Sequence, residues 1–308
     1  MLREQLYVVT LAKYGNLTTA AKELFISQPA LSMFITHLEK NLGLKLFNRM
    51  GKKFVLTYAG EIYLDTARKM LSLERDFDTA ISDVKKEAAG CIRFGMYLRR
   101  TTFLLPAVLS YFLKKHPNVN IALEEADYEI LHAKLLMGEL DFIIANDSEE
   151  QNDKLQYKYL FEDRLVAVVA EKNPLAVADR KKTVGEKYPW LDLKKFRDER
   201  FILPLAQQST RKFINQALAY SMVTPQKVLF EKNMDTACQM AAEGVGIAFN
   251  METYVKHFAY KKKFKIFYVG DPSFKVATRL IYRKDMYMAN YMVSFVQILE
   301  ECCKKRLY

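Results

Sequence analysis

One segment of the sequence is long enough, and regular enough, to divide the chain. Residues 58–88 contain no proline, and their only glycine is Gly60 near the start, where Thr57 can cap a helix. Apolar residues recur in a 4,3 spacing, at Met70, Leu73, Phe77, Ala80 and Val84. Such a stripe is typical of a helix that pairs with a second copy of itself. The alternative is a long helix that packs on its own domain.

Three helical segments precede this one. Apolar positions recur at helical spacing in residues 2–14, and a turn follows at Gly15. A helix over residues 20–25, capped by Thr18 or Thr19, and a second over residues 28–41, ended by Gly43, are predicted next. Pro29 falls in the first turn of the second helix, where its missing N–H costs nothing. The cap of that helix is then Ser27 or Gln28.

The second helix has two faces. One is apolar and the other is polar; the apolar one consists of Leu31, Phe34, Ile35, Leu38 and Leu42, and the polar one of Gln28, Ser32, Met33, Thr36 and His37. Two helices joined by a tight turn, the second with an exposed polar face, predict a helix-turn-helix. Residues 44–57 alternate around Gly51 and contain four cations, which predicts a β-hairpin wing with a basic tip.

From Cys91 the periodicity changes. Short β-branched or aromatic segments alternate with helical ones, which predicts an α/β fold with open, mostly parallel sheets. Residues 91–308 contain two such series, so two subdomains with a cleft between them are expected.

Charge and composition limit the function. The net charge is +11, and residues 1–58 contain eight Lys or Arg against three Asp or Glu. A basic excess of this kind favours nucleic acid or anionic ligands. Long uncharged runs, such as residues 101–113 and 286–299, are too short to cross a bilayer, and the N-terminus has no signal-peptide pattern. The chain is therefore predicted to be cytoplasmic, with no membrane partner.

Signs of catalysis are missing from the sequence. It has no GxGxxG, GxxxxGK[ST] or GxSxG motif, and the four histidines have no metal-ligand spacing. We therefore expect no enzyme, no catalytic residue, no metal and no cofactor. The four cysteines have no framework spacing and are expected to be reduced thiols. For the adjacent Cys302 and Cys303, a redox-sensing pair and an idle pair both remain open.

Several motifs occur in the order that one family shows, and they extend over the whole chain. They are LTTAAKELFISQPALS at 17–32, LFNR at 46–49, LTYAG at 56–60, LLP at 104–106, HP at 116–117, GELD at 138–141, NPLA at 173–176 and EGVGI at 243–247. The chain thereby resembles the LysR-type transcriptional regulators.

The resemblance implies a domain order. It implies a winged helix-turn-helix at 1–58, a linker helix at 59–90 that forms an antiparallel-arranged dimer seam, and an effector domain like a periplasmic binding protein (type 2) at 91–308. In that domain, subdomain I would consist of residues 91–162 and 268–308, and subdomain II of 163–267. It also implies a homotetramer on double-stranded DNA, a small effector in the cleft, and RNA polymerase as a partner.

The candidate DNA-binding residues lie on the second helix, at the start of the helix before it, and on the wing. Gln28 and Ser32 can hydrogen-bond base edges, Pro29 and Met33 can contact a thymine methyl, and Thr18 and Thr19 can meet phosphate with hydroxyl and backbone N–H groups. The set is Thr18, Thr19, Gln28, Pro29, Ser32, Met33, Thr36, Arg49, Lys52 and Lys53. Met33 departs from the basic or amide residue that the family often has there.

The candidate effector-binding residues lie at strand-to-helix junctions that face the cleft, where small anions bind in such folds. The set is Arg99, Arg100, Thr101, Thr102, Asn146, Gln208, Ser209, Thr210, Asn233 and Phe249, with Gln207, Thr236 and Asn250 beside them. In the family a Ser or Thr often stands near Arg99 or Arg100. An arginine there favours a carboxylate or phosphate effector; the alternative is that both arginines point to solvent.

Two other functions remain as alternatives. A DNA-binding regulator that needs no effector fits the same residues. A transport-type solute-binding protein would explain residues 91–308, but it lacks a signal sequence and leaves residues 1–90 without a role.

Overall fold

The computed structural model describes residues 2–85, 89–146, 152–178, 186–206, 208–257 and 260–307, with only the backbone described at 209, 257, 306 and 307. The N-terminal part has the elements α1 (Arg3–Tyr14), α2 (Leu17–Glu23), α3 (Gln28–Leu42), β1 (Phe47–Met50) and β2 (Lys53–Leu56). The two strands form an antiparallel hairpin. The predicted winged helix-turn-helix is confirmed.

One core holds this winged unit together. Leu11, Ala20, Leu31 and Ile35 are buried in a single cluster, which joins the three helices to the start of the wing at Leu46. These residues recur at helical spacing within each helix, so each helix contributes one apolar stripe.

Helix α2 differs from the prediction. It begins at Leu17 instead of residue 20, because Asn16 is its N-cap and accepts from the backbone N–H groups of Thr18 and Thr19 at 2.9 and 3.1 Å. The prediction of a threonine cap is wrong. The helix also ends before Phe25, which has a φ of 55° and closes the last turn.

Helix α4 (Tyr58–Val84) is capped by the Thr57 hydroxyl, which accepts from the Gly60 N–H at 3.0 Å. One face of α4 contacts the C-terminal domain; for example, Arg68 pairs with Glu139 at 3.1 Å. The opposite face leaves Leu73 and Phe77 each 63% exposed. Both interpretations of the sequence therefore describe part of this helix: one face packs on its own chain, and the predicted dimer face is open.

The C-terminal domain contains two five-stranded sheets. The first has the order β4-β3-β5-β12-β6 and the second has the order β11-β7-β10-β8-β9. The strands are β3 (Gly90–Met96), β4 (Val119–Glu125), β5 (Phe142–Asn146), β6 (Leu155–Asp163), β7 (Leu165–Ala170), β8 (Arg200–Leu203), β9 (Lys227–Phe230), β10 (Ile247–Met251), β11 (Phe264–Tyr268) and β12 (Val276–Arg283).

Helices cover both sheets. They are α5 (Leu98–Lys115), α6 (Tyr128–Leu136), α7 (Ser209–Tyr220), α8 (Met234–Ala242), α9 (Glu252–His257) and α10 (Asn290–Leu307). Below, subdomain I means the first sheet with α5, α6 and α10, and subdomain II means the second sheet with α7, α8 and α9. The chain crosses between the two sheets at β6–β7 and again at β11–β12.

The prediction of mostly parallel sheets is wrong. In each sheet, two of the four strand pairings are antiparallel. The strands at the two crossings, β6, β7, β11 and β12, run antiparallel to their neighbours. No helix lies between β6 and β7 or between β11 and β12, two stretches that the structure describes in full, whereas parallel neighbours are joined by a crossover, usually a helix. Strand β6 and helix α9 were both missed by the sequence analysis.

Candidate functional site

Helix α3 is held so that its first turn and outer face stay open. The Ser27 hydroxyl caps it and accepts from the Ala30 N–H at 3.3 Å, and Gly43 ends it with a φ of 67°. Leu31 and Ile35, on the inner face of the helix, are buried. Phe34 packs edge-on to Tyr7, with ring centroids 4.8 Å apart, and so is part of the domain's own packing.

The outer face of α3 forms one shallow depression. It is lined by Gln28, Pro29, Ser32, Met33, Thr36, His37 and Lys40. Five of these were predicted to contact DNA; His37 and Lys40 were not, although they follow Met33 and Thr36 at i+4 spacing. The side chain of Met33 is 72% exposed. The Thr36 hydroxyl donates to the Ser32 carbonyl at 2.9 Å, so the Ser32 hydroxyl and the Gln28 amide are the polar groups best placed to reach a base.

The buried carboxylate of Glu39, which was not predicted to have a role, joins the wing to α3. Glu39 is 7% exposed, and its Oε1 accepts from the N–H groups of Leu46 and Phe47 at 2.9 and 3.1 Å. Its Oε2 pairs with Lys45 at 2.8 Å. These bonds fix the first strand of the wing against the last turn of α3. A glutamate eight residues before a strand gave no signal of this role.

The tip of the wing is cationic and exposed. Arg49, Lys52 and Lys53 surround Gly51, which has a φ of 64°. The tip is tied to the turn before α2, because the Phe54 N–H donates to the Gly15 carbonyl at 2.8 Å. The cations and the start of α2 are therefore neighbours, as a phosphate-binding surface requires.

Thr18 and Thr19 have exposed side chains at that start. Their backbone N–H groups already donate to Asn16. Contact of Thr18 and Thr19 with phosphate stays a prediction, and the two exposed hydroxyls are the groups that could make it while the Asn16 cap is in place.

A second group of polar side chains lies where the two subdomains meet. Residues 99–102 were predicted at a junction before a helix, but α5 begins at Leu98 and they lie in its first turns. The Arg99 guanidinium reaches subdomain II. Its Nε donates to Asp235 Oδ2 at 3.1 Å and its Nη1 to Asn250 Oδ1 at 3.0 Å, and its Cζ lies 4.5 Å from the centre of the Tyr254 ring.

Arg100 turns into subdomain I. Its side chain is 2% exposed, and its Nη2 donates to Asn146 Oδ1 at 2.7 Å. Within the described residues its Nε has no hydrogen-bond partner. The alternative that both arginines point to solvent is wrong, because Arg99 pairs with subdomain II and Arg100 is buried.

Other predicted effector residues have structural partners. The hydroxyls of Thr101 and Thr102 donate to carbonyls one turn back in α5. Gln208 joins the loop at Leu205 to the Lys232 carbonyl. Asn233 caps α8 by accepting from the N–H groups of Asp235 and Thr236.

Phe249 does not face the cleft. It is fully buried and stacks on Phe201 with centroids 5.9 Å apart, because residue 249 lies in the middle of β10 and faces the core. The next residue, Asn250, contacts Arg99 instead. Gln207 and the side chain of Ser209 lie outside the described residues, and Thr210 is half-buried at the start of α7.

Three side chains near Arg99 were not singled out from the sequence: Asp235, Tyr260 and Cys238. The Tyr260 hydroxyl donates to Asp235 Oδ1 at 3.3 Å, and burial raises the pKa of Tyr260. Burial also raises the pKa of Cys238 to about 11, so this thiol stays protonated at neutral pH. Asp235 falls within a predicted junction, but nothing in the sequence paired it with residue 99.

The described part of the chain offers little support for metal binding, membrane insertion or thiol reactivity. There, no group of three or more His, Cys, Asp or Glu side chains could hold a metal ion. None of the described helices is long and apolar enough to cross a membrane. The side chains of Cys302 and Cys303 are buried, and burial raises the pKa of Cys303 to about 12, which disfavours the reactive thiolate.

Two family models match the chain. The lysR-family bacterial regulatory helix-turn-helix matches residues 2–61, and the LysR substrate binding domain matches residues 85–304. A Bacillus subtilis protein described as an uncharacterized HTH-type transcriptional regulator, YwqM, is 27% identical over 305 residues, covering 98% of this chain and 99% of its own.

Two solved structures share the fold. A full-length single-residue variant of OxyR from Pseudomonas aeruginosa is 21% identical with a TM-score of 0.73, covering 99% of this chain and 94% of its own. Full-length CbnR, a LysR-family regulator solved with its target DNA, is 19% identical with a TM-score of 0.53, covering 98% of this chain and 99% of its own. Because the substrate-domain model alone matches more than half of the residues, the chain belongs to the LysR family of transcriptional regulators.

Proposed function

We propose that this protein binds double-stranded DNA through the outer face of α3 and the wing, and that a small effector in the cleft modulates transcription. One observation carries the proposal: Gln28, Ser32 and Met33 line the open outer face of α3, and Arg49 and Lys52 are exposed on the wing of the same domain. Base contacts in the major groove require open polar and apolar side chains like those on α3, and attraction to phosphate requires cations like those on the wing. The CbnR structure with DNA supports the same use of this fold.

The proposal includes partners that rest on the family. We propose that two copies pair through the open face of α4, that dimers assemble into a tetramer on DNA, that RNA polymerase is the downstream partner, and that the protein acts in the cytoplasm without catalysing a reaction.

The effector is proposed to be an anion. Arg99, on the first turn of α5, extends toward subdomain II, and guanidinium groups bind carboxylate and phosphate in a bidentate way. Arg100, the next residue, is buried in subdomain I and adds positive charge behind it.

The DNA proposal is tested with Arg49→Ala. Loss of one phosphate contact should weaken binding to 30-base-pair duplexes of every sequence and reduce the slope of log affinity against log salt by about 0.9. The measurement is a fluorescence anisotropy titration of labelled random-sequence duplex at several salt concentrations.

Lys195→Ala is the matched control, because Lys195 is also exposed but lies in subdomain II, away from α3. An affinity and salt slope for Arg49→Ala equal to those of this control would remove the wing from the DNA-binding surface.

A further inference from the structure

Arg99 joins the two subdomains across the cleft. Its own helix, α5, belongs to subdomain I, while Asp235 on α8, Asn250 on β10 and Tyr254 on α9 belong to subdomain II. The guanidinium contacts both carboxylate oxygens of Asp235, through Nε and Nη2. A fork of this kind fixes the orientation as well as the distance of the two groups.

This ion pair is shielded from water. The side chains of Arg99 and Asp235 are 23% and 17% exposed, so the attraction between them is screened less than in a surface pair. The Tyr254 ring covers one face of the guanidinium. On the other side of the pair, the Tyr260 hydroxyl holds Asp235 Oδ1. The contacts therefore position Asp235 as a ligand for Arg99.

The geometry matches what a bound carboxylate would require. A free carboxylate that entered the cleft would offer two oxygens to the same guanidinium nitrogens, and Asn250 would stay available to Nη1. Asp235 already supplies these oxygens from within the chain.

We propose that Asp235 is a built-in ligand that latches subdomain II onto Arg99, and that a carboxylate effector acts by competing with Asp235 for this guanidinium. The latch itself stands on the contacts above; the competition rests on the proposed function of the cleft. Removing the Asp235 carboxylate should thus both loosen the cleft and expose a carboxylate site that the native chain keeps occupied.

The test uses the full-length protein with Asp235→Ala, Arg99→Ala and the double variant. Formate is the probe, because it is the smallest carboxylate. We expect about 100 mM sodium formate to raise the melting temperature of Asp235→Ala above its value in sodium chloride of equal ionic strength, since a ligand that binds only the folded state stabilises it. The double variant and Arg99→Ala should gain nothing from formate.

Hydrogen exchange gives a second measurement on the same proteins. Amides in the first turns of α5 and α8 should exchange several-fold faster in Asp235→Ala than in the native chain, and formate should slow them again. If Asp235→Ala does not fold, Asp235→Asn keeps the side-chain shape, removes the charge, and should show the same faster exchange.

Glu186→Ala is the matched control. It removes an ion pair with Arg164 at 2.7 Å whose side chains are 19% and 29% exposed, and this pair does not reach α5. It should leave the exchange of the α5 amides at the native rate.

Two results would overturn the latch: equal stabilisation by formate of Asp235→Ala and the double variant, or native exchange rates in α5 when Asp235 is replaced. Neither depends on DNA. An Arg49→Ala titration that contradicts the DNA-binding proposal can therefore be told apart from a result that contradicts the Arg99–Asp235 latch.

Discussion

The outer face of α3, which we propose contacts DNA bases, combines polar and apolar side chains. Met33 is an exposed apolar group where a cation would add phosphate attraction, and Ser32 is a half-buried hydroxyl one turn after Gln28. Apolar contact suits a thymine methyl, and a hydroxyl can donate to or accept from a base edge. The wing of the same domain has three exposed cations, so under the proposed function the helix would select sequence while the wing supplies most of the charge.

Replacing Ser32 with alanine tests this division at the residue scale. If Ser32 reads a base, Ser32→Ala should cost about 1–3 kcal/mol at a site selected from a random DNA library, and clearly less on unselected duplex. Competition binding on both DNAs measures the difference. An equal loss on the two would assign Ser32 to the phosphate backbone.

Helix α4 works as an element with two chemically different faces. Its polar face contacts subdomain I: Asp76 pairs with Arg283 at 3.3 Å, and Asp83 accepts from the Tyr287 hydroxyl at 3.0 Å. Gly138 makes this approach possible, because a Cβ there would lie 2.0 Å from the Ser72 hydroxyl. The apolar face carries Phe77 and its neighbours in the exposed stripe. Movement of subdomain I would consequently displace α4 as well.

Phe77→Glu tests the open face. Phe77 is 63% exposed in the single chain, and burial of a phenylalanine contributes about 1.5–3 kcal/mol. A symmetric dimer of Phe77→Glu would lose two buried phenylalanine side chains, one from each copy. The dissociation constant of the dimer should therefore rise at least about 100-fold. Sedimentation velocity over a concentration series measures it. Lys69→Glu, exposed on the flank of the same helix, should leave the dimer intact; dissociation by both variants would point to charge instead of the stripe.

At the scale of the whole molecule, a buried acid lies where the chain passes from one sheet to the other. Asp163 ends β6 and is 4% exposed. Its carboxylate accepts from the Arg164 N–H at 2.9 Å, and from the N–H and hydroxyl of Thr253 in subdomain II. Burial outweighs these bonds and raises the pKa of Asp163 to about 6.

The sign of the pH effect follows from that shift. A carboxyl whose pKa is raised on folding binds its proton more tightly in the folded chain, so the stability it contributes is present at low pH and lost as pH rises from about 4 to 6. Relative to Asp163→Asn, the native chain should thus gain up to about 3 kcal/mol in free energy of unfolding between pH 7 and pH 4.

Urea denaturation of both proteins at each pH measures this difference. A constant difference between them across the range would mean that Asp163 does not titrate in this window.

The elements with strong local signals were predicted well. Pro29 marks the start of α3 and Gly43 marks its end, because each residue restricts or permits its own backbone conformation. Thr57 caps α4, as expected for a hydroxyl just before a helical run. Where two local signals competed, the prediction failed: Asn16 and Thr18 could both cap α2, and the packing of Leu17 into the core decided for Asn16.

Periodicity, caps and turn residues act over a few positions, and they were sufficient to predict the helix-turn-helix, the wing, the long helix and the two series in residues 91–308. The pairs of side chains that meet across the molecule follow from its packing and could not be predicted in this way. Arg99 and Asp235 are 136 residues apart and Asp76 and Arg283 are 207 apart, and no local pattern encodes such pairs. The contacts that join the cleft and the linker helix arise from how the sheets pack, since each depends on the position of the other element.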